Sequence, residues 1–245
     1  MNNKNRFDKI DTLKQQLDAL RPLPKESVRS LHEALVLEWT YHSNAIEGNT
    51  LTLKETKVVL EGITVGGKTL REHFEAINHC EAIAWVESIV GRDEPFSERL
   101  VKSIHQLVLK NIDDDNAGRY RQENVIIAGA EHRPPEHCHL PQLMNDLVDW
   151  YQHQSDHPLE RSARLHVDFV GIHPFVDGNG RTARLLMNFD LMSSGYLPVI
   201  IRKENRLAYY EALDTAHTRK DYESFIEMVA SAQEDALNRY LSLVG

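Results

Sequence analysis

The chain has 245 residues, with 28 lysines and arginines against 37 aspartates and glutamates, and a formal net charge of −9 at pH 7. This acidic balance argues against a protein that binds nucleic acid by broad neutralisation of phosphate charge. No segment approaches the roughly 18 consecutive apolar residues of a membrane span, and the first residues, MNNKNRFDKIDTLK, lack the apolar stretch of a secretory signal. We therefore expect a cytoplasmic protein whose partners include neither nucleic acid nor a membrane.

The spacing of apolar residues predicts a mainly helical chain. In the first predicted helix, residues 27–46, one face carries Leu31, Leu35, Trp39, His42 and Ile46. Further helices are predicted at residues 52–61, 70–90, 97–110, 140–153, 158–172, 180–194, 204–217 and 221–241. In the helix over residues 70–90, the expected apolar face consists of Phe74, Ile77, Ala84 and Val86.

A single strand is predicted, at residues 124–130, where the sequence NVIIAGA is rich in β-branched residues and interrupted by Gly129. This segment lies in a long irregular stretch from residue 111 to residue 139. Loops of that length inside a compact domain usually carry function. We therefore expect the stretch to contribute to a functional site.

The sequence HPFVDGNGR follows the helix predicted at residues 158–172. Pro174 cannot continue that helix, because its ring removes a hydrogen-bond donor and disfavours helical backbone in the preceding residue. His173 is therefore expected at or just beyond the helix end, held there by Phe175 in the core.

The next predicted helix opens at the turn Gly178-Asn179-Gly180. Backbone N–H groups are unpaired at a helix N-terminus and the helix dipole is positive there, so such a turn attracts anions. Arg181 and Arg184 lie three residues apart and add two guanidinium groups at the same end. This much positive potential favours a polyphosphate over a single carboxylate.

Asp177 would repel a polyphosphate unless a cation lies between them. Mg²⁺ is typically held by one or two carboxylates together with phosphate oxygens, so Asp177 predicts a magnesium site. His173 is the group in this stretch that takes up a proton near neutral pH. Together these residues favour transfer of a phosphate-containing group to a nucleophile.

The sequence HPFVDGNGRTAR resembles the signature of the Fic family, H-P-F-x-[D/E]-G-N-G-R-x-x-R, at every specified position. The resemblance implies an all-α fold with a Fic-type helical core, which transfers AMP from ATP to a Ser, Thr or Tyr hydroxyl of a target protein. It implies that His173 is the general base and that Asp177 holds Mg²⁺. It implies a nucleotide phosphate site formed by Gly178, Asn179, Gly180, Arg181 and Arg184. The Doc-type kinases of this family carry a lysine late in the motif and lack its second glycine, so Gly180-Arg181 favours nucleotidyl transfer.

A second stretch, SNAIEGN, ends the helix predicted at residues 27–46. A carboxylate at a helix C-terminus opposes the dipole at a cost of about 0.3–1 kcal/mol, so Glu47 invites a cationic partner. Ser43 lies one turn back on the same face. The pattern from Ser43 through Glu47 to Gly48 resembles the family's inhibitory helix motif, [S/T]-x-x-x-E-[G/N]. The resemblance implies that Glu47 pairs with Arg184 and keeps the γ-phosphate of ATP from its productive position.

The resemblance also implies a β-hairpin flap over the active site near residues 120–135. Its target-docking residues would be Val125, Ile126, Ile127, Ala128 and Gly129, because an exposed strand edge can pair with an extended peptide. From the residues alone, a purely structural hairpin is equally open. Tyr209 and Tyr210 are implied near the nucleotide base, with packing into the core as the alternative.

By the same resemblance, residues 1–95 form an N-terminal helical region with the inhibitory helix, residues 96–215 the Fic core, and residues 216–245 a C-terminal helical extension. An autoinhibited protein adenylyltransferase is the leading hypothesis. The alternatives are a de-AMPylase in which Glu47 positions water, and a module that binds nucleotide and a partner with little turnover. His173 and Asp177 count against the last, since binding alone requires neither a base nor a metal ligand. Self-modification and homo-oligomerisation are left open.

Overall fold

The computed structural model of the protein describes residues 3–92 and 94–244. In these residues the chain forms ten α-helices and two short 3-10 helices, and no strand. The α-helices are α1 Asn3–Ala19, α2 Lys25–Ile46, α3 Leu53–Leu60, α4 Leu70–Val90, α5 Glu98–Leu109, α6 Leu140–His153, α7 Pro158–Ile172, α8 Asn179–Ser193, α9 Arg206–Arg219 and α10 Glu223–Val244. The 3-10 helices are His137–His139 and Lys203–Asn205. The all-α prediction is confirmed, and α2 to α10 match the predicted helices to within three residues at each end.

Helix α1 is not predicted by the apolar spacing. Its buried apolar side chains, Phe7, Ile10 and Leu17, are separated by mostly polar residues, which weakens the periodic signal. The helix packs against α10, far along the chain. Contacts of such high sequence separation, rather than a strong local pattern, stabilise it.

Side-chain caps explain several of the helix starts. Thr52 and Thr69 each accept a hydrogen bond from a backbone N–H three residues on, and the glutamate at that position reaches back to the cap's own N–H. Such capping boxes satisfy donors that the first helical turn leaves unpaired. Ser97 caps α5 in the simpler way, through its hydroxyl and the N–H of Leu100.

Helix α8 lies at the centre of the molecule. Residues 181–191 are buried without exception, and α8 packs against α2, α4, α5 and α7. Several polar side chains on this helix are paired inside the protein. Asp190, for example, accepts hydrogen bonds from the guanidinium of Arg161 at 2.6 Å and the hydroxyl of Tyr151 at 2.6 Å. A central position also fixes the N-terminus of α8, and with it the turn that precedes it.

Helix α2 lies across this core and contacts α3, α4 and α10. About midway along it, Glu38 accepts hydrogen bonds at 2.9 Å from both NH groups of Arg239 on α10. Nearer its start, His32 lies 2.8 Å from the carboxylate of Glu87 on α4. These contacts direct the C-terminal end of α2 toward the start of α8.

The predicted apolar face of α4 is confirmed only in part: Val86 is buried, and Ile77 packs against a small buried apolar cluster. Ala84 is exposed, and Phe74 and Ile77 are only partly buried. The buried side instead includes four polar residues: His73, Glu75, Asn78 and His79. The reason is that α4 packs against α2 and α8 close to the start of α8, where charged groups gather, so apolar spacing does not identify its inner face.

The predicted strand at residues 124–130, and with it the β-hairpin flap, is wrong. The described backbone here is extended or turned and pairs with no neighbouring strand. The N–H of Ala130 donates to the carbonyl of Ile127 at 3.3 Å, with Gly129 at φ 83°, so the chain turns where a strand would continue. Three β-branched residues favour a strand only when a partner lies beside them.

No helix among the described residues is both long and apolar enough to cross a membrane.

Candidate active site

His173 lies at the junction between α7 and α8. It is the C-terminal cap of α7, in the left-handed region at φ 49° and ψ 58°, and Pro174 follows it. Phe175 is fully buried and stacks on His105, with ring centroids 3.5 Å apart and planes within 1°. The predicted position of His173, at a helix end anchored by Phe175, is confirmed.

His105 also supports the loop between the two helices through its ring nitrogens. The N–H of Gly118 donates to Nδ1 at 2.9 Å, so Nε2 carries the proton and donates to the carbonyl of Asp177 at 2.9 Å. Burial lowers the pKa of His105 to about 4, so the ring is uncharged at neutral pH. The loop is therefore held on a neutral side chain.

The turn before α8 has the form expected of an anion site. Gly178 is the N-cap residue at φ 76°, and α8 begins at Asn179. The Asn179 side chain bonds the backbone N–H and carbonyl of Phe175 at 3.0 and 2.8 Å, so it closes the loop on itself. A ligand at this turn would meet the backbone of Asn179 rather than its amide group.

Asp177 lies between two arginines at the mouth of the site. One oxygen accepts from the N–H of Gly178 at 2.6 Å and from Arg181 at 3.2 Å, and the other bonds Arg71 of α4. Burial alone would raise the pKa of the Asp177 carboxyl, but Arg181, the Gly178 N–H and Arg71 outweigh it, and the pKa is lowered. Glu75 lies within 3.2 Å of Arg71 and 3.4 Å of Arg181, so the four charges alternate in sign.

Arg184 is fully buried and binds the end of α2. Its Nε donates to the Ser43 hydroxyl at 2.9 Å, and one terminal nitrogen donates to the Ser43 carbonyl at 2.8 Å and to Glu47 at 2.7 Å. The other terminal nitrogen donates to the hydroxyl of Tyr209 at 3.1 Å. Burial would lower the pKa of Arg184, but Tyr209 and Glu47 raise it above its ordinary value. The structure thus brings Ser43, Glu47 and Arg184 together.

The carboxylate of Glu47 lies directly over the turn. A methyl group added to Gly180 would collide with its Oε1 and would come within 3.1 Å of Arg184. Glu47 is the C-cap of α2, and its own backbone N–H bonds the carbonyl of Asn44. An anionic side chain thus lies where unpaired N–H groups and a guanidinium favour an anion.

A cavity of about 480 Å³ opens beside these groups. Its walls come from the α7–α8 junction, from α9 and from residues 127–132. They include Glu47, His173, Gly180, Arg206, Tyr210 and Asp214. A volume of this size suits a drug-sized ligand or a nucleotide.

His173 borders this cavity as a neutral group. Burial lowers its pKa to about 4, and the positive charge of Arg121 acts in the same direction. The Val170 carbonyl and the Glu47 carboxylate act in the opposite direction, to a smaller extent than burial. At neutral pH the imidazole therefore has a free site for a proton.

Tyr209 and Tyr210 lie at different depths. Tyr209 is buried, and its hydroxyl lies between Arg184 and Nε2 of His166, 3.2 Å away. Tyr210 is 39 % exposed, lines the cavity and donates its hydroxyl to the Ile46 carbonyl at 3.1 Å. Both tyrosines line the cavity, Tyr209 as a buried side chain and Tyr210 as a partly exposed one.

Residues 123–135, called the covering segment below, close one side of the cavity. The N–H groups of Glu131 and His132 donate to Asp214 of α9 at 3.2 and 3.4 Å. Ile127, Ala128 and Gly129 line the cavity. Ile126 points outward with 82 % of its surface exposed, and Val125 is partly buried.

Three groups at the site are absent from the residues predicted from sequence: Arg71, Glu75 and Asp214. None belongs to the HPFVDGNGRTAR motif, and all are charged residues on helices, where a solvated position is the usual expectation. For Arg71 and Glu75 the sequence does offer a clue to pairing, since the two opposite charges lie one turn apart just after the Thr69 cap. Even that signal does not reveal which helix faces them.

The chain resembles known proteins along most of its length. Residues 95–191 match the model of the Fic/DOC family. A protein adenylyltransferase Fic from Nematostella vectensis is 40 % identical over 96 % of this chain and 56 % of its own length. Protein adenylyltransferase fic-1 from Caenorhabditis elegans is 38 % identical over 87 % of this chain and 42 % of its own length. The chain thus spans about half the length of the curated relatives it matches.

Solved structures match the fold. Fic-1 from Caenorhabditis elegans superposes with a TM-score of 0.86 at 33 % identity, over 98 % of this chain and 73 % of that one. A Fic domain containing signalling protein from Bacteroides thetaiotaomicron gives a TM-score of 0.88 at 29 % identity, over 96 % of each chain. The whole described helical arrangement, including the helices outside residues 95–191, therefore has counterparts in solved structures.

Proposed function

This chain belongs to the Fic/DOC family, and on that basis we propose that it is an autoinhibited protein adenylyltransferase. The proposed reaction transfers AMP from ATP to a Ser, Thr or Tyr hydroxyl of a target protein. The names of the relatives, protein adenylyltransferase, support the activity. The observation that carries the proposal is the position of Glu47, whose carboxylate lies over Gly180 and binds Arg184 at 2.7 Å.

The phosphates of ATP are proposed to bind at the start of α8. The backbone of residues 178–180 presents helix N-terminal N–H groups, and the guanidinium groups of Arg181 and Arg184 lie at the same end. The cavity beside this turn would receive the nucleoside, with Tyr210 on its wall. Tyr209 also lines this cavity, and its hydroxyl accepts a hydrogen bond from Arg184.

Asp177 fits a magnesium ion that arrives with ATP. It offers a hard carboxylate oxygen at the edge of the site, and Arg71 and Arg181 already place positive charge against it. A bound Mg²⁺ would neutralise charge on the phosphates as pyrophosphate leaves. We assign this ligand role to Asp177, with Arg71 as the group that must yield its contact.

His173 is the proposed general base. Its neutral imidazole takes the proton from the target hydroxyl as the hydroxyl oxygen forms a bond to the α-phosphorus of ATP. The bond between the α-phosphorus and the bridging oxygen breaks, and pyrophosphate leaves with the electron pair. The target is proposed to approach along the covering segment, where Val125 and the outward-facing Ile126 flank the cavity wall formed by Ile127, Ala128 and Gly129.

Autoinhibition is proposed to follow from the charge and position of Glu47. A carboxylate beside Gly180 and Arg184 repels a phosphate group and occupies the guanidinium that the phosphate requires. Ser43 accepts hydrogen bonds from the same guanidinium through its hydroxyl and its carbonyl, so Arg184 is directed toward α2 in this state. Activity then requires that Glu47 leave the turn.

The proposal is tested by intact mass after incubation with ATP and Mg²⁺, on the wild type and on Glu47→Gly. We expect the variant to add AMP to itself or to lysate proteins and the wild type to add little. The double variant Glu47→Gly with His173→Ala should lose the transfer. Glu61→Gly is a matched control, because Glu61 is likewise a helix C-cap followed by a glycine but lies on α3.

Two other outcomes would contradict the proposal. If the wild type removes AMP from a modified protein and Glu47→Gly transfers none, the site works as a de-AMPylase in which Glu47 positions water. If neither protein transfers or removes AMP and both bind ATP, the chain is a nucleotide-binding module.

A further inference from the structure

The side chain of Arg121 joins three separate stretches of backbone at the site. Its Nε donates to the carbonyl of His173 at 2.9 Å. Its two terminal nitrogens donate to the carbonyls of Glu123 at 2.8 Å and Pro135 at 2.6 Å. Its own backbone N–H donates to the carbonyl of Pro174 at 2.9 Å.

Among the residues that the structure describes, this buried guanidinium has no acidic partner. Arg121 is 3 % exposed, and within residues 3–92 and 94–244 all of its side-chain hydrogen bonds end on backbone carbonyls. Burial accordingly lowers the pKa of the guanidinium. A buried cation is unfavourable unless its hydrogen bonds are satisfied, so this position is demanding to maintain.

The three carbonyls belong to elements that the proposed reaction needs together. Glu123 and Pro135 are the two ends of the covering segment, which has no strand pairing to hold it. His173 has left-handed backbone, which most side chains avoid, and its carbonyl must be fixed for the imidazole to keep its direction. We infer that Arg121 is a positioning residue, which holds the backbone of His173 and both ends of the covering segment in one fixed arrangement.

The inference rests on the proposed function only where it gives these contacts a role in catalysis. The contacts themselves do not depend on which reaction the site performs. Among the described residues, the fixed charge of Arg121 is also one of three charged or titratable groups that shift the pKa of the imidazole. The other two are Glu47 from the end of α2 and His132 from the covering segment. Removing the charge and removing the hydrogen bonds should therefore have separable effects.

The charge effect is measured by NMR titration of the His173 ring in the full chain, with the signal assigned by its loss in His173→Gln. Arg121→Gln should raise the pKa of His173 by roughly half a unit to one unit, because a nearby positive charge is lost. Arg121→Lys should leave the pKa near the wild-type value, because the charge remains. Arg119→Gln, an exposed arginine two residues away, is the matched control and should change nothing.

The hydrogen-bond effect is measured by hydrogen exchange of the covering segment and by kinetics in the Glu47→Gly background. One ammonium group cannot bridge three carbonyls, so Arg121→Lys should speed exchange at residues 123–135 at least about tenfold. It should also lower kcat about tenfold or more, with KM for ATP within about threefold. Arg119→Lys should change neither quantity.

The inference is overturned if folded Arg121→Lys exchanges like the wild type and keeps its kcat within twofold. It is also overturned if Arg121→Gln folds and His173 titrates as in the wild type. Should Arg121→Gln fail to fold, Arg121→Lys alone decides through its exchange rate. Neither titration nor exchange requires turnover, so a chain that transfers no AMP would refute the proposed function and still test this inference.

Discussion

Two pairs of opposite charges flank the turn before α8, and they differ in surroundings. The contact of Arg184 with Glu47 lies at the interface of α2, α8 and α9, with 2 % of the arginine side chain and 31 % of the glutamate side chain exposed. The contact of Arg71 with Asp177 lies at the mouth, with 56 % and 38 % of the two side chains exposed. Charges in a low-dielectric interior interact strongly, and those in water weakly. We therefore expect the inner pair to govern stability and access of phosphate, and the outer pair to compete with a cation.

The largest expected effect is a loss of folding stability in acid, caused by buried histidines near Arg184 and the turn before α8. Two histidines beside Arg184, His79 and His166, are fully buried, and burial together with the charge of Arg184 holds their pKa well below the ordinary value. Burial also lowers the pKa of His105 and of His173, in each case to about 4. A group with a lowered folded pKa takes up its proton first in the unfolded chain, so stability is lost as pH falls from 6.5 to about 4.

For His105 and for His173 the expected loss in the free energy of unfolding is on the order of 3 kcal/mol each over that range, measured by urea denaturation at a series of pH values. His153→Gln, at an exposed site, should leave the slope unchanged. Arg71→Gln should leave it nearly unchanged as well. A stability that stays flat from pH 7 to pH 5 would contradict the assignment of neutral buried histidines.

Removing one charge from each pair gives a direct comparison of stability. Glu47→Gln leaves the buried guanidinium of Arg184 with neutral acceptors only, Ser43 and Tyr209, and should cost about 1–2 kcal/mol. For a chain of this length each kcal/mol corresponds to roughly 2–4 °C in Tm. Arg71→Gln should cost less than about 0.5 kcal/mol, since its partners are partly in water. Equal shifts in Tm would show that burial does not distinguish the pairs.

The same two pairs should differ in their effect on nucleotide affinity. Glu47→Gly removes a negative charge from the start of α8, so calorimetry should give a Kd for ATP at least about tenfold lower than in the wild type. For AMP, which has fewer phosphates, the Kd should fall by about threefold or less. Glu61→Gly serves as the control with the same change in net charge. If the Kd values for AMP and ATP fall by the same factor, Glu47 does not act on the distal phosphates.

The smallest effect is expected at the outer pair. Arg71→Gln removes a cation that competes for the Asp177 carboxylate, and the Kd for Mn²⁺ should fall about threefold, as followed by electron paramagnetic resonance with a non-hydrolysable ATP analogue present. Arg29→Gln changes an exposed arginine of α2 that pairs with Glu26, and should leave metal affinity unchanged. A weaker metal affinity in Arg71→Gln would mean that the arginine assists the bound metal–nucleotide complex instead.

Much of the fold follows from the sequence, because helix limits depend on local chemistry. Thr52 and Ser97 start helices through hydrogen bonds to residues three positions on, and Pro174 ends α7 because its ring removes a hydrogen-bond donor. The strand at residues 124–130 could not be judged locally, since a strand depends on a partner elsewhere in the chain. The prediction of the inner face of α4 was incomplete for a related reason, because Glu75 is buried where Arg181 of α8 lies against it.

In the site, too, the features set by local sequence were predicted and those set by distant contacts were not. Compact motifs predicted the place of His173 and the turn from Gly178 to Gly180, and the geometry confirms both. The contact of Arg184 with Ser43 and Glu47 spans about half the chain and followed from family resemblance, not from spacing. No local pattern in the sequence indicates that Arg71 reaches Asp177, because the ion pair joins α4 to the loop before α8 through side chains alone.

The length of α2 has a mechanical consequence for the contact at its end. A helix of 22 residues is a rod about 33 Å long, and Glu47 caps it. A tilt of about 5° around the opposite end of such a rod would carry the Glu47 end through about 3 Å. That displacement is as large as the 2.7 Å separation between Glu47 and Arg184. A force applied far from the cavity, at the first turns of α2 or where Glu38 meets α10, is therefore geometrically sufficient to open the turn without unfolding any helix.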